Sequence, residues 1–124
     1  MRFESDRLVI RSPILDDAND IFENYTTDPQ VTRYLTWSPH HSIEDTRKFI
    51  NYCIENSENA ESFILVIFHK ENKKAIGMIN FKIDGFSSEF GYVLSKRYWN
   101  NGIMTEALKP VIDFVYRMPE ITFA

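Results

Sequence analysis

Residues Phe63 to Phe68 read "FILVIF", six apolar side chains in succession. Such a run has no polar side to show to water. Flanked by Ser62 and by His69-Lys70, it has the length of a strand buried on both faces in the interior of a sheet. It is far too short to cross a bilayer as a helix. After the turn "ENKK" comes "AIGMINFKI", a second strand, and after the tight turn "DGF" comes "SSEFGYVL", a third. Three strands in series with short turns form a meander.

The segments around the meander are more mixed. "DRLVIRS", Asp6 to Ser12, is short and roughly alternating, so it reads as a first strand that Pro13 ends. In "ILDDANDIFENYTTDP", Ala18, Ile21, Phe22 and Tyr25 fall on one helical face, with Asp16 and Asp17 near the positive helix start. Thr26 to Pro29 stops that helix. "QVTRYLTWSPHH" is less regular and reads as a short helical turn, then an aromatic loop carrying histidines. Ser42 has the character of an N-cap, with Glu44 and Asp45 in the first turn. The helix it opens places Thr46, Phe49, Ile50, Cys53 and Ile54 on one side, and gives way to the polar loop "ENSENAES". A last helix, roughly Ile103 to Tyr116, carries Met104, Ala107, Leu108, Val111 and Val115 on one face. Pro110 lies inside it, where a proline strains a helix by ~3 kcal/mol, so a kink or an end is expected there. The order is β-α-α-β-β-β-α, an α/β chain of the α+β type.

Bulk properties narrow the function classes. The 124 residues suffice for one domain, residues 1–124, and not for two. Hydrophobic residues make up 44% and charged residues 26%, ordinary for a globular protein, and the net charge of −4 offers no basic face for phosphates of nucleic acid. Cys53 is the only cysteine, so neither an internal disulfide nor a zinc cluster is expected, and a metal site is not. "MRFESDRLVI" lacks the plan of a signal peptide. A soluble, cytoplasmic protein without membrane or nucleic-acid partners is the expectation.

The chemistry is expected in "RYWNNGIMTEAL", Arg97 to Leu108. A helix start presents unpaired N–H groups and partial positive charge. A glycine just before it lets backbone approach a ligand without a Cβ in the way. Strand, glycine-bearing turn and helix together make a cradle for phosphate or diphosphate, to which Arg97 adds charge and Thr105 a hydroxyl. The plainer alternative is that Gly102 shapes a loop and Asn101 caps the helix.

"RYWNNG" resembles the acyl-CoA-binding signature Arg/Gln-x-x-Gly-x-Gly/Ala of the GNAT superfamily of N-acetyltransferases. "EFGYVLSKRYWNNGIMTEAL" is similar to that family's block of the form E-x-G-Y-x-L-x-x-x-Y-W-G-x-G-x-x-T-E-A. "ESDRLVIRSPILDDANDIFENYTTDPQVTRYLTW" resembles the opening of the branch containing the ribosomal-protein N-alpha-acetyltransferases. The resemblance spans essentially the whole chain and implies the GNAT fold, with a mixed central sheet, and acetyl-CoA as co-substrate. It implies that the diphosphate lies on Arg97, Asn100, Asn101 and Gly102, continuing through Ile103 and Met104 to Thr105. The pantetheine arm would pair with backbone near Tyr92, Val93 and Leu94, and an amide near Val93 and Leu94 would steady the oxyanion. Asn100 stands where the signature has its first glycine. Asparagine tolerates positive φ, so the turn is expected to survive with a side chain pressed toward the ligand, which weakens coenzyme binding.

Other residues carry two readings each. Glu89 reads as a general base acting through water on the incoming ammonium, or as a strand carboxylate pairing with a neighbouring loop. Tyr34, Trp37 and His40, with His41, border the acceptor site in the resemblance, or are a core plug and solvated loop residues; Phe86 would line the same face. His69 is expected to be structural, Cys53 a small core residue, and Lys73-Lys74 a solvated turn. The expected activity is acetyl transfer to a primary amine, a protein N-terminus or a small amine. The alternative is an inactive acyl-CoA-binding or structural association module.

In the family, further strands and a helix follow the segment that is last here, so the chain reads as the N-terminal two-thirds of the usual fold, from a truncated or frame-shifted reading frame. An uncovered sheet edge and association into a homo-oligomer are the corresponding expectations.

Overall fold

The computed structural model describes residues 2–23, 42–55, 62–84 and 87–116. Five strands form one sheet in chain order: β1 (Arg2–Glu4), β2 (Leu8–Arg11), β3 (Ser62–His69), β4 (Lys74–Asp84) and β5 (Ser87–Leu94). Every pairing among the described residues is antiparallel, where the resemblance implies a mixed sheet. The meander is present as expected. The single N-terminal strand is instead a hairpin: Ser5 donates its N–H to the Leu8 carbonyl at 2.9 Å, and Asp6 sits in the turn. "RFE" is too short and too charged to announce itself, and it becomes a strand because Arg2, Phe3 and Glu4 find Arg11, Ile10 and Val9 as partners.

Helices cover both faces of the sheet. A 3-10 turn, Leu15–Asp17, runs into the short helix α1 (Ala18–Ile21), and α2 (Ile43–Glu55) packs beside it. Ser42 caps α2 as its sequence suggests, its hydroxyl accepting from the Asp45 N–H at 3.3 Å. Ile50 and Cys53 of α2 join Ala18, Ile21, Val66, Ala75 and Met78 in one core, and Thr46 is buried on the same helix. Ile54 is instead exposed. On the opposite face α3 (Ile103–Tyr116) buries Ile103, Ala107, Val111 and Val115 at four-residue intervals against Leu8, Ile10, Leu65 and Ile67. Met104 and Leu108 flank that stripe half-buried. Pro110 does not end this helix, which continues to Tyr116.

β4 serves both cores, and a bulge explains how. Register passes from Ile67 opposite Gly77 to Phe68 opposite Ala75, leaving Ile76 as the extra residue. The bulge breaks the alternation of faces, so Ile76 and Ile79 lie in the α3 core while Ala75 and Met78 lie in the α2 core. Beside it, Asp17 is tied to Arg11 by two bonds of 2.8 and 2.9 Å and also accepts from the Ile14 N–H. Asp17 thus serves the helix start, through the amide of the N-cap residue Ile14, and the Arg11 pair at once. It holds the Arg11 guanidinium above its ordinary pKa, against the opposing effect of burial.

Candidate functional site

β5 is the edge strand beside β4, and no described strand covers its outer side. In an antiparallel pair, residues alternate between bonding across the pair and pointing their N–H and C=O outward. The Ser95 N–H donates to the Ile76 carbonyl at 2.8 Å, which sets the phase. Gly91 and Val93 therefore turn their backbone toward β4, and Tyr92 and Leu94 turn theirs to the open edge. Two observations agree. The Val93 oxygen lies 2.5 Å from where a Cβ on Gly77 would stand. The Trp99 indole reaches the outward Leu94 carbonyl, with Nε1 donating at 2.8 Å.

After β5 the chain makes a 3-10 turn, Lys96–Tyr98, then a polar loop into α3. Asn100 and Gly102 both adopt left-handed backbone, with φ of 64° and 72°. The turn thus survives with asparagine in place of the signature's first glycine. At Gly102 a Cβ would make only an ordinary van der Waals contact, 3.8 Å from Arg7 Nη2, so within the protein itself glycine serves the backbone conformation. The first backbone bond of the helix is the Glu106 N–H to the Gly102 carbonyl at 3.0 Å. Among the described residues the amides of Ile103, Met104 and Thr105 have no backbone acceptor outside the helix. Unpaired amides at a helix start are the kind of donor that binds an anion.

The loop is held from the far end of the chain. Arg7, at the turn between β1 and β2, donates from Nε to Glu106 at 2.7 Å and from Nη1 to the Asn101 carbonyl at 3.1 Å. Glu106 also accepts from the Ser5 hydroxyl at 2.5 Å and the Arg7 N–H at 3.0 Å. Burial pushes its carboxyl upward, but these donors and the guanidinium charge outweigh burial and hold it below the usual carboxylate value. From the other side, the buried Tyr98 hydroxyl accepts from Asn72 Nδ2 at 2.6 Å, and its ring lies 5.2 Å from His69. His69 Nδ1 in turn accepts from the Asn72 N–H, the structural part expected of it.

Between the edge of β5 and the start of α3 lies a cleft of about 680 Å³. Tyr92, Val93 and Leu94 form its strand side, and Asn100, Gly102, Ile103, Met104 and Thr105 its loop and helix side. Arg97 is exposed on the 3-10 turn and does not line it, and neither does Asn101, whose carbonyl faces Arg7. Two lining residues, Tyr98 and Trp99, were not among the sequence candidates. The Tyr-Trp pair was a visible signal, since buried aromatics with a polar atom seek a partner. Glu89 stands in β5 opposite Lys82, two residues before Gly91. Its side chain lies outside the described residues, as do Tyr34, Trp37, His40, His41 and Phe86. Cys53 is buried and its thiol is pushed up to about 12 by burial, as suits a core residue. Among the described residues no group of three or more His, Cys, Asp or Glu could hold a metal, and no helix is long and apolar enough to cross a membrane.

A family model described as the acetyltransferase (GNAT) domain matches residues 7–123. The chain belongs to the GNAT acetyltransferase family. Among curated relatives, the uncharacterized N-acetyltransferase p20 of Bacillus licheniformis is 29% identical over 113 residues, which cover 89% of this chain and 63% of that protein. The GNAT chain described here thus spans just under two thirds of that relative's length. Among solved structures, a GNAT-family acetyltransferase from Bacillus anthracis superimposes with a TM-score of 0.82 at 25% identity, over 98% of this chain and 69% of that one. RimL, a ribosomal L7/L12 alpha-N-protein acetyltransferase in complex with coenzyme A, shares the fold at 19% identity, with a TM-score of 0.75 over 99% of this chain and 72% of that one.

Proposed function

We propose that this chain binds acetyl-CoA in the cleft between β5 and α3 and transfers its acetyl group to a primary amine. The observation that carries the reading is the row of unclaimed amides from Ile103 to Thr105, behind a loop whose backbone is already left-handed at Asn100 and Gly102. A diphosphate seated there accepts several N–H bonds and meets the positive end of a fourteen-residue helix. The outward groups of Tyr92 and Leu94 offer the amide-bearing arm an edge to pair with. Family membership and the coenzyme A held by RimL support the same assignment.

In this reading the neutral amine attacks the thioester carbonyl carbon, the C–N bond forms, and the C–S bond breaks with the electron pair leaving on sulfur. The Leu94 N–H, which faces the edge, stabilises the oxyanion formed on attack. Glu89, through a water, takes the proton from the incoming ammonium before attack, and Tyr34, Trp37 and His40 border the acceptor. The proton the nitrogen sheds after attack passes to the departing thiolate directly or through water. The acceptor is a protein N-terminus, by likeness to the ribosomal-protein branch, or a small amine. A cytoplasmic setting suits a protein whose lone cysteine is buried. Calorimetric titration with acetyl-CoA, followed by a thiol-release assay across peptides and small amines, tests the reading. Saturable binding and amine-dependent thiol release are expected. Absence of heat at sub-millimolar ligand removes it.

A further inference from the structure

We infer that Arg7 is a positioning residue for the coenzyme site, so that the N-terminal hairpin sets the affinity for the diphosphate end of the ligand. The inference rests on the acetyl-CoA reading above and names a residue that reading does not need. Arg7 lies 94 residues from Asn101 and 99 from Glu106, yet one guanidinium binds both. Glu106 stands in the first turn of α3, and Asn101 lies between the two left-handed residues of the loop. Holding both at once fixes the angle between the loop and the first turn, and hence the convergence of the amides that form the cradle.

The planar fork is what makes this possible. Nε and Nη1 point in different directions from one rigid group, which a lysine ammonium cannot reproduce. The Arg7 backbone N–H and the Ser5 hydroxyl take the other Glu106 oxygen, so the whole Ser5–Arg7 turn grips a single carboxylate. This has an electrostatic consequence as well. An acidic side chain in the first turn of a helix opposes an incoming anion, and here its charge is matched by the guanidinium 2.7 Å away. Removing Arg7 therefore both loosens the loop and leaves a bare carboxylate next to the cradle.

The test compares two ligands on the whole chain. Acetyl-CoA carries the diphosphate; S-acetyl-pantetheine carries the same arm and thioester without it. Dissociation constants for both are measured by calorimetry for wild type, Arg7→Ala and Arg7→Lys, with melting temperatures recorded alongside. The expected result is a loss of about tenfold for acetyl-CoA in both variants, equivalent to one charge-assisted hydrogen bond. Affinity for acetyl-pantetheine stays within about twofold of wild type, because that ligand has no group in the cradle and so does not couple to Arg7. Arg7→Lys retains the charge and most of the stability, so it answers if Arg7→Ala does not fold. Equal losses for the two ligands would mean that Arg7 acts only on stability, and unchanged affinity for acetyl-CoA would remove its role altogether. If wild type binds acetyl-pantetheine but gains nothing from the diphosphate, the cradle itself is misplaced and the inference falls with it. Wild type binding neither ligand overturns the acetyl-CoA reading first.

Discussion

At the scale of single residues, the site depends on backbone shape more than on side-chain chemistry. Asn100 and Gly102 show two ways of reaching the left-handed region, one by a side chain that tolerates it and one by having none. Because a Cβ on Gly102 meets nothing closer than Arg7 Nη2 at 3.8 Å, the cost of substitution is conformational. Gly102→Ala should destabilise the protein by about 1–2 kcal/mol. Gly102→Asn should cost clearly less, since asparagine already occupies the same region two residues earlier. Urea unfolding of the two variants checks this, and equal costs would show that the φ at this position is not the constraint. The same residue shows how far sequence reading reaches. Gly102 was legible as a loop glycine before a helix, but whether it served space or torsion was not, because that depends on what stands opposite it.

At the scale of elements, the cleft is a product of how β4 and β5 meet. Gly77 brings β4 against the Val93 carbonyl, and a Cβ there would stand 2.5 Å from that oxygen, closer than real side chains come. The obstacle is backbone, which moves only by pushing β5 away. Gly77→Ala should therefore lower stability by roughly 1–3 kcal/mol, more than Gly102→Ala. Urea denaturation midpoints give the comparison directly, and a Gly77→Ala variant as stable as wild type would mean that the two strands separate at little cost. The meander was legible because its strands are long, apolar and separated by short turns. β1 was not, since three residues with two charges carry no period. The bulge was hidden too. Its effect, Ile76 and Ile79 facing one core and Met78 the other, looks in sequence like a continuous apolar run.

At the scale of the whole molecule, ion pairs join parts of the chain that are distant in sequence. Arg11 and Asp17 pin the start of the helical layer to β2, and Arg7 and Glu106 pin the hairpin to α3. The Glu106 carboxyl is held below its ordinary value of 4.5, so its contribution to stability is fully present above about pH 4.5 and lost as pH falls through the lowered folded value. Glu106→Gln should be less stable than wild type at neutral pH and should lose less on acidification below about pH 4.5. Thermal melts across this range test it. Parallel curves for the two proteins would show that the carboxylate is not coupled to folding. Because the Arg7 side chain is 43% exposed, solvent screening keeps the effect modest, and added salt should reduce it further.

The sequence by itself determined the types of the main elements, most of the faces they bury and the place of the glycine-bearing turn before the last helix. These follow from local periodicity, caps and turn residues, which act over a few positions along the chain. Only the tertiary structure decided which amides stay free, which edge of β5 is open, and that Trp99 closes on Leu94 while Arg7 grips the loop almost a hundred residues away. Such facts arise from hydrogen bonds between segments far apart in sequence, and a bond of that kind leaves no periodic trace in either partner.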